Sequence, residues 1–120
     1  MYVHNEKGER MIGRKDDKGK VDYTLIPPQA IREVAEVLTY GAEKYSAHNW
    51  VNVEPCRYLA AAYRHIEAFR TGYKVDMESR LHHLSHAITN LLFLLERDLC
   101  PTGIVGEPYV SYSDCVKKSA

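Results

Sequence analysis

The stretch from His82 to Arg97, HHLSHAITNLLFLLER, limits the possible folds more than any other part of the chain. At about 100° per residue, His83, His86 and Asn90 share one stripe of a helix, with Arg97 further along it. Leu84, Ile88, Leu91, Leu92 and Leu95 cover much of the remaining surface. A helix this apolar is expected to be buried on more than one side. Its polar stripe then points into something, and buried polar groups must be paired. A set of structural hydrogen bonds would satisfy that need, and so would a functional site. His82 lies at the edge of the stripe and is expected at the surface.

Two further helices can be read upstream. Pro27-Pro28 suits a helix start, because proline in the first turn removes an N–H that would have no partner. The first helix is expected from about Pro28 to Tyr45, with Ala30, Ile31, Val34, Val37, Leu38 and Gly41 on its apolar face. Glu33, Glu36, Tyr40, Glu43 and Lys44 form a separate stripe, and Gly41 permits close backbone approach. After SAHNWVNVEP, a second helix is expected from about Cys56 to Thr71, stopped by Gly72, with Leu59, Ala62, Tyr63, Ile66 and Phe69 buried. Ser79 is the expected N-cap of the third helix, which halts near Leu99 before Pro101.

The remainder follows from composition. At 120 residues and 45% hydrophobic, the chain has the size of one domain, 1–120, with a polar arm (1–26), a helical core (27–99) and an irregular tail (100–120). Within the arm, Val21 to Ile26 is expected to be a short extended piece. The fold class is therefore all-α: three main helices as an antiparallel bundle. Sixteen basic and sixteen acidic residues cancel, so no global field draws the protein to nucleic acid polymers or an anionic membrane. The longest apolar run, Leu91 to Leu95, is far too short for a bilayer, and the N-terminus lacks a signal-peptide core. A cytoplasmic location is expected. Three cysteines without a C-x-x-C pair are expected to be free thiols.

Series connectivity brings the start of the first helix, the end of the second and the start of the third to one end of a bundle. Glu33, Glu36, Arg64, His65, Asp76, Glu78, His83 and His86 would gather there. Glu33-x-x-Glu36 places two carboxylates one turn apart, where they repel unless something positive sits between them. On a solvated helix that spacing is commonplace. Facing imidazoles, it fits a hard divalent ion such as Mg²⁺ or Mn²⁺. Lys15 and Lys20 in KDDKGK, Lys44, and Arg57 with Arg64 are cations suited to phosphate, although each also reads as surface charge. Trp50 is either a lid on the core or a stacking platform for a base, with His48 and Asn49 offering hydrogen bonds to base edges.

Between about Lys15 and Glu96, the pieces KDDKGKVDYTLIPP, EVAEVLTYGAEKYSAHNW, RYLAAAYRHIEAF and DMESRLHHLSHAITNLLFLLE occur in order. Together they resemble the phage and prophage dATP/dGTP diphosphohydrolases, which include the MazZ enzymes and are grouped with the MazG-like all-α nucleotide pyrophosphohydrolases. The resemblance implies a MazG-like bundle, a homo-oligomer of two or four subunits, and removal of pyrophosphate from a purine deoxynucleoside triphosphate. dGTP is the expected substrate, supplying 2-aminoadenine synthesis in a host cytoplasm, with Mg²⁺ or Mn²⁺ as cofactor. Glu33 and Glu36 match the family's E-x-x-E and would hold metal and supply the general base. The family's later E-x-x-D has no match here; Asp76 and His83 take its place as candidate ligands. His65, His86 and Asn90, with Lys15, Lys20, Lys44, His48, Asn49, Trp50 and Arg64, would bind or orient substrate. Arg80 and His82 replace a small residue and a proline expected from relatives, which alters the turn into the third helix. Two non-enzymatic readings compete: a helical phosphotransfer or metal-binding module using an exposed histidine, and a phage interaction protein without divalent-dependent nucleotide binding.

Overall fold

Three helices in series make up the computed structural model, which describes residue 4, residues 6–9 and residues 13–100: α1 (Pro28–Lys44), α2 (Pro55–Arg70) and α3 (His83–Leu99). Among the described residues there is no strand, and an isolated antiparallel bridge joins Val75 to His82. The all-α expectation holds, and the expected tail lies outside the described residues. Pro28 and Pro55 each open a helix, as their missing N–H groups favour. At the other end of α2, the Thr71 amide and hydroxyl both donate to the Glu67 carbonyl, and Gly72 takes φ +109° to turn the chain away.

Two local expectations need correction. Val21 to Ile26 is not extended, because the Asp22 carboxylate accepts from the Thr24 amide and winds Tyr23–Leu25 into a 3-10 turn. Ser79 does not cap α3. His82 does, with its Nδ1 accepting from the Leu84 amide at 3.0 Å, so it is half-buried rather than a surface residue. Residues 74–83 instead make a tight reversal. The His83 amide donates to Lys74, the Asp76 amide to Leu81 and the Arg80 amide to Asp76, with Arg80 at φ +66°. A left-handed residue carrying a Cβ is strained unless its surroundings hold it, and those three bonds do.

α2 and α3 pack antiparallel, with Tyr58 on Phe93, His65 on His83 and His86, and Phe69 on His82. α1 packs chiefly on α3. Its early turn meets the first turn of α3 through Glu33 and Ser85, whereas Tyr40 and Lys44 meet Glu78, ahead of α3. In a parallel run Tyr40 would stand beside residues further along α3; instead it reaches Glu78, ahead of that helix.

The fully buried apolar residues are few: Val34, Val37, Ala62 and Ala87, with Pro55 at the head of α2. Beside them Ser85, Thr89 and Arg97 are also buried. Leu38 and Leu59 are half-buried, but Ile31, Tyr63, Ile66 and Phe69, all expected inside, are exposed in the single chain. The buried seam of α2 is narrow: Ala62 is buried and Ala61 half-buried, while the broader Tyr63, Ile66 and Phe69 stand on its flanks. Gly41 is not a close-approach site, since a Cβ there would meet nothing within 4 Å. Cys56 is disulfide-bonded, which corrects the expectation of three free thiols: an odd count leaves room for a pair distant in sequence. Cys100 is free and exposed, and Cys115 lies outside the described residues.

Candidate functional site

A cleft of about 1340 Å³ lies between the C-terminal half of α1, the 45–53 connection and the α2–α3 pair. Of the residues expected at a site, Lys44, His48, Asn49, Trp50, Arg64, His65, Asp76, His86 and Asn90 line it. These come from all three helices and both connections, so the helices do assemble most of the polar stripe in one place.

At one end, His65 and Asp76 of the lining meet His83, which itself does not line the cleft, and ligand atoms of the three lie within 4.8 Å of one another. Asp76 and His83 were expected as ligands; His65 joins them because antiparallel packing sets it opposite α3. The Nδ1 atoms of His65 and His83 are 2.9 Å apart, so one ring donates and the other accepts. His65 also stacks on His86 at 4.6 Å. Burial, then the neighbouring His86 and His83, pull the His65 pKa down to about 4. Burial likewise depresses His86, against the opposing pull of Asp76. Both rings are thereby held neutral near pH 7, the form in which imidazole binds a metal. Burial works to raise the Asp76 pKa, but the Ser79 amide and hydroxyl and the nearby histidines outweigh it, and the carboxyl sits below its usual range. The Ser79 amide donates to Asp76 Oδ2 at 2.8 Å, while its hydroxyl bonds His86 Nε2 at 2.6 Å. Ser79 therefore ties the acidic and basic members together. Two imidazoles and a carboxylate are a donor set suited to a borderline divalent ion; Mn²⁺ accepts nitrogen more readily than Mg²⁺ does.

The other end is aromatic. Trp50 stacks on Phe93 with ring centroids 4.9 Å apart and 11° between planes, and Tyr58 tilts against Phe93 at 5.1 Å. Burial raises the Tyr58 hydroxyl to about 12, leaving it a firm donor to the Trp50 carbonyl at 3.0 Å. On the mouth between the ends, Glu78 accepts from both Lys44 and Tyr40, and this partnership holds the Lys44 ammonium above its ordinary pKa.

Glu33 and Glu36 do not line the cleft. Half-buried Glu33 accepts from Ser85 Oγ at 3.2 Å, and Glu36 pairs with Arg32 at 3.3 Å. Ser85 lies roughly 200° around α3 from His83, so the acidic pair stands on the flank of that helix and is not brought into the His65–Asp76–His83 group. Lys15 and Lys20 are exposed and also outside the lining. The sequence did not single out Tyr58, Ser79, Phe93 or Arg97 as site residues, and gave Glu78 only as a member of the polar cluster. One signal was present: Asp76-x-x-Ser79 has the spacing of an aspartate that caps its own turn.

No helix among the described residues is long and apolar enough to cross a membrane. No solved structure matches the chain. Over 84 residues it is 39% identical to a dATP/dGTP diphosphohydrolase of Salmonella phage PMBT28, an alignment covering 70% of this chain and 29% of that relative. The chain thus spans under a third of the relative's length. The family model for the N-terminal part of dATP/dGTP diphosphohydrolases matches residues 10–105, four-fifths of the chain, and the resemblance read from the sequence is confirmed: the chain belongs to the dATP/dGTP diphosphohydrolase N-terminal family.

Proposed function

We propose that this chain binds a purine deoxynucleoside triphosphate in the cleft and hydrolyses it, with a divalent ion, to the monophosphate and pyrophosphate. The observation that carries the reading is the cleft's polarity, with metal-capable groups at one end and an aromatic wall at the other. From His86 to Phe93 is seven residues, about 10 Å along α3, a separation that suits phosphates at one end and a base at the other. The relative's name supports a nucleotide substrate of this class. Preference for dGTP over dATP, a role in supplying 2-aminoadenine synthesis, a MazG-like bundle and assembly into a homo-oligomer are parts of the same proposal, resting on the resemblance.

Asp76 and His83 would hold the ion with His65 as third ligand, and Mn²⁺ is the better match to that set than Mg²⁺. When bound, such an ion supplies charge neutralisation to the phosphates and acidifies water. Water oxygen attacks the α-phosphorus in line. A new P–O bond forms as the bond to the α–β bridging oxygen breaks, and the electron pair leaves with pyrophosphate. Lys44, exchanging Glu78 for phosphate, and Arg64 neutralise that leaving charge. His86 and Asn90 orient the sugar and phosphates from the middle of α3. His48 and Asn49 meet the base edge, while Trp50 offers the base only the surface that Phe93 leaves uncovered. Lys15 and Lys20 remain proposed phosphate contacts from the arm. Glu33 and Glu36 remain proposed as an acidic pair for the ion and for accepting the water's proton, from their place on the flank of α3.

Two pairs of variants test these assignments by calorimetric Mn²⁺ titration and by pyrophosphate release from dGTP. Asp76→Asn and His83→Ala are expected to weaken Mn²⁺ binding and lower activity by about 10- to 100-fold or more, the scale for disturbing a metal ligand shell. Glu33→Gln and Glu36→Gln are expected to lower activity by a similar factor. Full Mn²⁺ affinity and turnover in Asp76→Asn and His83→Ala would remove the metal centre from this end of the cleft; unimpaired Glu33→Gln and Glu36→Gln would remove the acidic pair from the reaction.

A further inference from the structure

We propose that Arg97 is a positioning residue for the base end of the site, acting through the chain segment that carries His48, Asn49 and Trp50; the inference rests on the cleft being the nucleotide site. Arg97 is 4% exposed, four residues beyond Phe93 on α3. Its guanidinium reaches across to three backbone carbonyls of the connection between α1 and α2: Nη1 donates to Trp50 at 3.4 Å and to Val53, and Nη2 donates to Val51 at 3.1 Å. Tyr58 donates to the same Trp50 carbonyl. Two side chains from two helices therefore clamp one turn of loop.

The clamped turn is not one that would hold this shape by itself. Residues Asn49–Asn52 form a single 3-10 turn, entered through His48 at φ +61°, and the His48 side chain gives it no cap. Within the turn the Trp50 carbonyl accepts from the Val53 amide at 3.3 Å, a long bond. Arg97 adds charged donors to the Trp50, Val51 and Val53 carbonyls at once, which the spread donors of a guanidinium fork can do and a lysine ammonium cannot match. With those carbonyls fixed, the Trp50 ring is aimed onto Phe93, and His48 and Asn49 are presented at the cleft.

Arg97 itself does not line the cleft, so its effect on substrate passes through the loop. The α3 member of the metal-capable group, His83, stands fourteen residues away from it, about 21 Å along α3. A purely packing role would lower stability without favouring either end. A positioning role is felt at the base end alone.

Trp50 is the chain's single tryptophan, so its emission reports the clamp directly. In Arg97→Lys, Trp50 emission is expected to shift to the red and Mn²⁺ affinity to stay within about twofold of the parent. KM for dGTP should rise about tenfold or more, the scale of losing charge-assisted hydrogen bonds, with the dGTP-to-dATP preference reduced and kcat within about threefold. Tyr58→Phe removes one donor from the same carbonyl and is expected to move emission and KM in the same direction by less, which keeps the proposal open to refutation should Arg97→Lys fail to fold. Altered emission with unchanged KM and base preference would overturn the positioning role and leave the nucleotide reading intact. A parent protein that binds Mn²⁺ but neither dGTP nor dATP would overturn both.

Discussion

His65 shows how a single residue acquires its chemistry from packing. In isolation it would titrate near pH 6.5; set against His83 and His86 in a half-buried seam, its pKa falls to about 4. Protonation is then easier in the unfolded chain than in the folded one. Between pH 6.5 and 4 the unfolded state binds the extra proton, so stability is present above this window and is lost as pH falls through it. For the metal-free protein we expect a loss of about 1–2 kcal/mol across that range, allowing for the solvent-facing side of the ring. Urea unfolding at pH 7, 5.5 and 4.5 checks it, and His65→Asn should flatten the dependence. At this scale part of the grouping was readable in advance: Asp76 and His83 were among the residues expected to gather at one end of the bundle, and the structure sets them together. His65 was expected in the same cluster but as a residue that orients substrate; its direct contact with His83 depends on the register between α2 and α3, which no local pattern encodes. Arg97 was visible on the stripe, but its acceptors are backbone carbonyls some 45 residues upstream, and carbonyls carry no sequence signal.

Among the elements, the helices were legible wherever proline or glycine punctuates them. Pro28, Pro55 and Gly72 mark ends to within a residue. Ser79 misled because serine favours both a cap and a turn, and here the turn prevailed: its amide serves Asp76 and its hydroxyl serves His86. Gly41 misled in the opposite way. It was read as a contact point, yet a Cβ there would meet only open space, in the last turn of α1 on the lining of the cleft. Without a neighbour to accommodate, this glycine only costs helix stability. Gly41→Ala is therefore expected to stabilise the fold by about 0.5–1 kcal/mol, as in other unstrained helix interiors, with no clash. Thermal melts of the two proteins give the comparison. A melting point lowered by the alanine would show that α1 needs the backbone freedom there.

Across the whole molecule, the third helix is greasy on more sides than its neighbours cover. Ile88, Leu91, Leu92, Leu95 and Leu99 stay between 41% and 66% exposed, which in water favours association with a like surface. We expect sedimentation to give a species larger than one chain at micromolar concentration, and Leu95→Glu to shift it toward the monomer with helix content unchanged; a parent that sediments as a monomer throughout would refute the expectation. The arrangement of α1 has a different outcome. α2 and α3 form one closely joined pair, and α1 leans across it with the cleft along much of their shared boundary. A molecule seated there would act as mortar between two masonry courses, so the grip on a ligand and the cohesion of the protein rise together.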